Sequence, residues 1–366
     1  MLVSILIPTR NGAETIEGTI SSALNQTNKN FEIIVLDDSI NNKTKIIVKQ
    51  FKSLKIKYFK TKVSGNSMCD NWESAVKKSK GDMIFIVGDD DAVMPNAVEK
   101  IQEVYSSYKP EIIRWFPHLF YWPGVMSKDP IALKSNKKNM LINININAKV
   151  KKIFDFGGSF LDQLPMIYHS AVSRNLVNKI IKNTGRLFHS KQPDVFSGMA
   201  FAALASSVVQ IETALTVNAW SLRSNSGSMR KEYDSDKNLE YINEFKDLNY
   251  HNSLPNDQCM TFFNATPDAI LTAMEIFPSY FSRFNFNYTA MFAVFVRLSH
   301  YKNYAWVLQN RKKLYLTSGL LIYKFHAYLI LNIAVTLVDR VKKLSYLRKK
   351  VKSKSPYAWI LNEVDN

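Results

Sequence analysis

The stretch Met83-Ile84-Phe85-Ile86-Val87-Gly88-Asp89-Asp90-Asp91 runs five bulky apolar residues directly into three carboxylates. An apolar run of this length, bounded by polar residues, reads as a strand buried on both faces, with the acids at its carboxyl end. Upstream, Val3 to Ile7, Phe31 to Leu36 and Ile56 to Phe59 repeat the pattern, separated by helix-period segments. Strands alternating with helices predict βαβ units, and their right-handed crossovers build a mainly parallel sheet. Asn11 with Glu14 has capping-box spacing, and Ile16, Ile20 and Leu24 share one helical face, so a helix is expected after the first strand. Further helices are expected over Lys43 to Phe51, over Met68 to Lys78 and from Pro95, before a strand at Ile112 to Phe116. Residues 1–116 thus read as an open α/β nucleotide-binding half, which gathers ligands beyond the carboxyl ends of its strands.

Residues 117–231 read as a second half. An Asn- and Lys-rich stretch with alternating Ile142, Ile144 and Ile146 suggests a hairpin or ordered loop. Helices follow at Ser173 to Thr184 and Val195 to Ser207, then one strand at Val208 to Val217 and a polar loop from Arg223 to Lys231. Residues 232–366 are aromatic-rich, helical in pattern and expected as an appendage. Leu314 to Val338 is apolar, but Lys324 and His326 sit near its middle, where a lysine costs roughly 2.5–3.5 kcal/mol in a bilayer, so a single clean span is disfavoured. Beyond it, Leu337, Val341, Leu344, Leu347 and Val351 line one side of a basic amphipathic helix. That helix suits either an anionic membrane surface or packing on its own domain.

The bulk numbers exclude several classes. With 366 residues, 46% apolar and 22% charged, the chain is neither collagen-like nor intrinsically disordered. Its net charge is +17, yet twelve Lys or Arg face a single acid, Asp339, between Arg311 and Lys354. These charges accompany long aliphatic runs rather than interleaved stacking platforms, so no nucleic-acid partner is expected. Cys69 and Cys259 lie far apart and outside any metal-ligand spacing, which fits a reducing compartment. Met1 to Ile7 enters a strand with no positive leader, so a cytoplasmic protein is expected, peripheral on the inner face of the cell membrane.

Acids cluster at two strand ends: Asp37-Asp38 after the second and Asp89-Asp90-Asp91 after the fourth. Stacked like charges are unfavourable unless something neutralises them. Mn²⁺ or Mg²⁺ does so with one or two carboxylates and completes its shell with phosphate oxygens, which implies a bound diphosphate. The plainer alternative is that the acids cap the helix near Pro95, for which one Asp would suffice. Asp194, in Gln192-Pro193-Asp194-Val195-Phe196-Ser197-Gly198, stands before a helix as an N-cap or as a general base. Among the aromatics, Trp115 at a strand end fits core packing, whereas Trp122 before Pro123-Gly124 fits an acceptor contact.

Six blocks in order carry a resemblance: Ser4-Ile5-Leu6-Ile7-Pro8-Thr9-Arg10-Asn11, Leu24-Asn25-Gln26-Thr27, Phe31 through Ser39, Asp70-Asn71-Trp72-Glu73, Gly81-Asp82 and Gly88-Asp89-Asp90-Asp91. Together they resemble glycosyltransferase family 2, strongly over residues 1–115 and more weakly to about 230. The resemblance implies a GT-A fold, α/β with a mainly parallel Rossmann-like sheet and here a helical C-terminal appendage. It further implies inverting, metal-dependent sugar transfer from a UDP-, dTDP- or GDP-sugar to a saccharide or lipid-linked saccharide hydroxyl, as in surface glycan synthesis. On the donor side it implies Pro8, Thr9, Arg10, Glu14, Asp38, Asn71 and Asp89, with Asp90 and then Asp91 as metal ligands and Asp194 as the base. Two positions depart from the family pattern: Gly88 stands where the D-x-D motif often begins, and Pro193-Asp194 replaces the usual Glu-Asp pair. The competing reading is a catalytically silent scaffold of the same fold at the membrane.

Overall fold

Strands β1 (Val3–Thr9), β2 (Phe31–Asp37), β3 (Ile56–Lys60) and β4 (Met83–Ile86) fall on the four apolar runs. The computed structural model describes residues 1–62, 65–135, 141–224, 241, 243–244, 250–254, 265–298, 303–346 and 349–364. β1 pairs in parallel with both β2 and β4, and β2 pairs in parallel with β3. Every residue of β1, β2 and β4 is buried because helices cover both faces. Ile5, Ile7, Ile33 and Phe85 pack against α1 (Ile16–Leu24), α2 (Lys43–Gln50) and, further along the chain, the helix Ala97–Tyr108. Leu6, Ile34, Ile84 and Ile86 pack against α3 (Met68–Lys78). The alternation of side chains along each strand makes this division.

The sheet does not stop at the first half. After β5 (Ala92–Val93) and α4 (Ala97–Tyr108) come β6 (Ile112–Arg114), β7 (His118–Tyr121), β8 (Ile131–Leu133) and β9 (Leu141–Asn143). Then follow α5 (Ile146–Asp155), β10 (Ser170–Ser173), α6 (Arg174–Thr184), α7 (Pro193–Leu204), β11 (Val208–Ile211) and β12 (Thr216–Trp220). Among the described residues the main sheet has the order β3-β2-β1-β4-β10-β6-β11-β9, and a smaller one has the order β5-β12-β7-β8. β10 runs antiparallel to β4 and β6, so the parallel rhythm breaks where the second half enters.

Several expectations are corrected. The single strand at Val208 to Val217 is two, in different sheets, because Ala214 and Leu215 are buried where the chain crosses between them. The capping box does not form: α1 starts at Ile16 with no side-chain cap, Asn11 takes φ 58° and donates its N–H to Ser39 (2.7 Å), and Glu14 pairs with Arg223. The alternation at Ile142 ends up on β9, an edge strand hydrogen-bonded to β11.

The C-terminal helices are α8 (Thr266–Ile276), α9 (Pro278–Phe281), α10 (Tyr288–Leu298), α11 (Tyr304–Gln309), α12 (Arg311–Ser318), α13 (Ile322–Tyr346) and α14 (Pro356–Trp359). They divide between two cores. Ala269, Ile270 and Ala273 of α8 share the main core with Phe196, Met199 and Phe201 of α7. Full burial of a side chain such as Ile270 contributes roughly 1.5–3 kcal/mol, so α8 completes the main domain. Phe292, Phe295 and Val296 of α10 instead form a separate cluster with Phe325 and Leu329 of α13. No single helix among the described residues is long and apolar enough to cross a membrane, although α12 and Ile322–Val335 pass that test as a pair bent by 97°. The amphipathic helix expected to run to Val351 ends by Tyr346. Lys349 and Val351 instead hydrogen-bond the open edge of β8, through Ala132 N–H (3.2 Å) and the Pro130 carbonyl (3.1 Å). An unpaired strand edge satisfies its backbone groups in this way. Leu347 and Arg348 lie outside the described residues.

Gly157 locks α10 onto α5. It has φ 61°, and a Cβ there would stand 2.1 Å from the Met291 nitrogen. Replacing Gly157 by Ala is expected to destabilise the fold by roughly 2–4 kcal/mol, from overpacking added to left-handed strain. Gly185→Ala, with φ 84° but nothing within 4 Å, carries the strain alone and should cost about 1 kcal/mol. Urea unfolding midpoints of the two variants measure the difference, and equal losses would show that α10 is not held there.

Candidate active site

Because β1, β2 and β4 are parallel and in register, their carboxyl ends open at one edge, where Arg10, Asp38 and Asp89 follow within a few residues. The Thr9 hydroxyl donates to Asp89. Gly12 leaves room for that contact, since a Cβ would stand 2.0 Å from Asp89 Oδ2. Thr19 of α1 donates to the carbonyls of Asp89 (2.9 Å) and Asp91 (2.7 Å), which fastens the acidic turn to the first helix.

The three carboxylates have different surroundings. Asp91 accepts three hydrogen bonds: from Gly88 N–H (2.7 Å) and the Tyr168 hydroxyl (2.5 Å) at Oδ2, and from Ala219 N–H (2.7 Å) at Oδ1. Its oxygens are taken up in joining the β4 turn to the residues before β10 and to β12. A cation at Asp91 would share these oxygens with three buried donors, since a carboxylate offers about four acceptor positions. Asp90 accepts from Ser221 N–H (3.0 Å), from its own backbone N–H and from the Ser221 and Ser224 hydroxyls. Burial, reinforced by the neighbouring Asp90 charge, pushes Asp89 up to about 7 and Asp91 up to about 8. Burial also raises Asp90. Three full negative charges are not tolerated here without a positive partner, so Asp89 and Asp90 fit a divalent cation that a diphosphate would help to ligate. Among the described residues no group of three or more His, Cys, Asp or Glu surrounds a metal position.

On the donor side, Asp38 is 1% exposed and accepts from Thr61 Oγ1 (2.6 Å), Gly65 N–H (3.1 Å) and Asn66 Nδ2 (3.2 Å). Arg10 lies 3.6 Å from Asp38 and also pairs with Glu244. Asn71 donates to the Thr9 carbonyl (3.4 Å), while its own Oδ1 is buried without a hydrogen-bond partner among the described residues. Pro8 is buried in β1 beside Leu36. Glu14 stands at the rim, gripped by both Nε and Nη2 of Arg223. Most of the Arg223 to Ser228 loop lies outside the described residues.

Sequence reasoning missed Tyr168 and His169. Tyr168 stacks on Trp72 (5.7 Å between centroids, 13° between planes) and reaches Asp91. His169, at φ 61°, accepts from Thr216 through Nδ1 (2.8 Å), and Thr216 accepts from Trp115 Nε1 (2.7 Å). Burial pushes His169 down to about 3, so its ring is neutral at physiological pH. No local pattern flags these two residues; the register of β10 alone brings them behind the acids. Trp115 is buried as expected, and the Trp122 indole donates to the Asp90 carbonyl (3.1 Å).

Asp194 lies in the first turn of α7; the cap position is Gln192, whose side chain makes no cap hydrogen bond, while the Asp194 carboxylate accepts from the first-turn N–H of Val195. Asp194 thus serves the helix N-terminus from inside the first turn rather than from the cap position. Burial raises its pKa above the ordinary carboxylate value. The loop ahead of it rests on α3: Arg186 pairs with Asp70 (2.7 Å), and Glu73 accepts from Leu187 N–H (2.8 Å) and Phe188 N–H (3.3 Å). Through Trp72, α3 also supports Tyr168 and hence Asp91. One helix thus braces both carboxylate groups.

Asp91→Asn would leave one of the buried N–H groups of Gly88 and Ala219 facing an amide donor. A loss of about 1–3 kcal/mol is expected in guanidinium unfolding with EDTA present. A loss seen only when Mn²⁺ is added would place Asp91 among the metal ligands.

Residues 4–140 match the family model for glycosyl transferase family 2. An uncharacterized glycosyltransferase of Rickettsia typhi is 40% identical over 98 residues, covering 27% of this chain and 30% of that protein. The Staphylococcus aureus poly(ribitol-phosphate) beta-N-acetylglucosaminyltransferase TarP is 36% identical over 104 residues, covering 27% and 31%. The Escherichia coli UDP-Glc:alpha-D-GlcNAc-diphosphoundecaprenol beta-1,3-glucosyltransferase WfgD is 34% identical over 98 residues, covering 27% and 38%. The match spans about a third of the length of these curated relatives. Among solved structures, S. aureus TarS 1-349 in complex with UDP-GlcNAc superposes with a TM-score of 0.51 at 14% identity, over 84% of this chain and 76% of that one. With strand ends that gather acids at one edge, residues 4–140 match the glycosyl transferase family 2 model and the fold is similar to that of TarS.

Proposed function

We propose that the chain is an inverting glycosyltransferase that moves a sugar from a nucleotide diphosphate to a hydroxyl of a lipid-linked saccharide. The observation that carries this reading is that one helix, α3, braces both the acidic turn, through Trp72, Tyr168 and Asp91, and the loop ahead of Asp194, through Asp70 and Glu73. TarS is solved with UDP-GlcNAc, and WfgD is named for a UDP-glucose donor and a diphosphoundecaprenol acceptor, which favours a UDP-sugar over dTDP- or GDP-sugars and a lipid-held acceptor.

In this reading Asp38 and Arg10 meet the nucleoside, the orphaned Asn71 Oδ1 accepts from a donor hydroxyl, and Asp89 and Asp90 face the diphosphate. A Mn²⁺ or Mg²⁺ ion held there would offset the charge of the departing diphosphate. Asp194 takes the proton of the acceptor hydroxyl as that oxygen attacks the anomeric carbon from the opposite face. A carboxyl raised by burial is a stronger base than an exposed one, which suits the role. The scaffold reading gives no reason to bury this acid at a cost.

A membrane-facing surface supports the lipid-linked acceptor. On α13, Tyr323, Ile330 and Leu337 recur at seven-residue spacing and are 67%, 67% and 54% exposed, with Leu331 and Val338 beside them. Leu316 of α12 is 83% exposed, next to the exposed cations Arg311, Lys312 and Lys313. Apolar groups flanked by cations suit an anionic bilayer, here the cytoplasmic face of the cell membrane.

Nucleotide diphosphate and Mn²⁺ together are expected to raise the thermal midpoint more than either alone, because each completes the other's site. A screen of UDP-, dTDP- and GDP-sugars reads this out, EDTA should cancel it, and a flat result across donors would sink the proposal. Asp194→Asn should lower turnover about a hundredfold or more while keeping the nucleotide-dependent shift. The raised pKa means that folding penalises the charged form at neutral pH, so Asn should leave the fold at least as stable at pH 7. Wild-type activity should be lost as pH falls through that raised pKa; a limb in the ordinary carboxylate range would argue against the assignment. Sedimentation with phosphatidylglycerol vesicles should exceed that with phosphatidylcholine and weaken about tenfold in Ile330→Glu/Leu331→Glu. Equal sedimentation of variant and wild type would exclude this face.

A further inference from the structure

Ser190, Lys191 and Gln192, just ahead of Asp194, are 2%, 3% and 5% exposed. Three polar residues in a row are buried only where partners satisfy them. On one side the partner is α3, whose Cys69 thiol reaches the Ser190 carbonyl (2.6 Å). On the other side the partners come from beyond residue 240. The Tyr241 hydroxyl donates to the Lys191 carbonyl. Asp268, itself 2% exposed, accepts from the backbone N–H of Lys191 and from His251 N–H (2.8 Å). Thr266 Oγ1 donates to Gln192 Oε1 (2.7 Å), and Lys191 Nζ stands 3.3 Å from the centre of the Tyr250 ring.

We propose that Tyr241, Thr266 and Asp268 are positioning residues for Asp194, so that the C-terminal region takes part in transfer by fixing the loop that presents the base. The proposal rests on the reading of Asp194 given above. Three observations support it. First, the Gln192 side chain, which stands at the cap position of α7, makes no cap hydrogen bond and is engaged by Thr266 instead. Second, α8 already packs on α7 through Ala269, Ile270 and Ala273, an apolar contact sufficient for attachment. The polar grip therefore adds direction, which hydrogen bonds supply and apolar contact does not. Third, Glu244, three residues after Tyr241, pairs with Arg10, which faces Asp38 at 3.6 Å. One short stretch of chain thus touches both the base-bearing loop and the donor side.

Tyr241→Phe and Thr266→Val each remove one donor and keep the apolar body. Turnover of UDP-N-acetylglucosamine with Mn²⁺, water standing in for the acceptor, is expected to lose about tenfold in kcat while KM stays within about twofold. Combining either change with Asp194→Asn should cause no further loss, because both act through the same group. Amide exchange across residues 186–198 should quicken about tenfold, with β1 and β4 unchanged. Unchanged exchange in 186–198 would overturn the grip, and it needs no substrate to be read. Wild-type kcat in both variants alongside an inactive Asp194→Asn would overturn the positioning role. An active Asp194→Asn would instead remove the base reading itself, leaving the exchange result to report the grip alone.

Discussion

The Asp91 carboxylate is the knot on which the site depends. It receives Gly88 N–H from its own turn, the Tyr168 hydroxyl from the approach to β10 and Ala219 N–H from β12. Each donor belongs to a different part of the fold, so the acid ties the first half, the antiparallel insertion and the small sheet into one surface. Burying it next to Asp90 is costly, and the three donors offset that cost. The turn that carries Asp89 and Asp90 is thereby fixed to three parts of the fold.

A second organising element is α3. Its polar residues serve distinct neighbours: Asn71 the Thr9 carbonyl, Glu73 and Asp70 the loop ahead of Asp194, and Trp72 the ring of Tyr168. A helix that carries so many outward commitments keeps little freedom to shift. The C-terminal helices extend this frame rather than hang from it. Their apolar residues complete the main core through α8, and the outer surface of α13 leaves aliphatic and aromatic side chains exposed.

Much of the first half is legible in the sequence. The apolar runs at Val3, Phe31, Ile56 and Met83 form the four parallel strands, and Met68 to Lys78 forms α3 over the same residues, because buried strands and amphipathic helices leave strong local patterns. The candidate acids are visible for the same reason: carboxylates after an apolar run have no packing explanation. Legibility fails where partners are distant. Val208 to Val217 looks like one strand, and only the crossing between sheets divides it. The capping box at Asn11 is lost to Ser39 and Arg223, neither of which is near it in sequence.

The sequence by itself determined the α/β rhythm, the family and the residues able to carry chemistry, since these follow from periodicity and side-chain type. Tertiary structure alone decided what each acid does. Asp89, Asp90 and Asp91 are identical in composition, yet one meets a threonine hydroxyl, one meets two serines and one meets three fixed donors. It also decided that Tyr168 and His169 stand behind them and that Tyr241, Thr266 and Asp268 reach back to the loop before Asp194. The physical reason is that hydrogen bonding and desolvation depend on which atoms meet in space, and partners such as Asp90 and Ser221 are 131 positions apart in the chain.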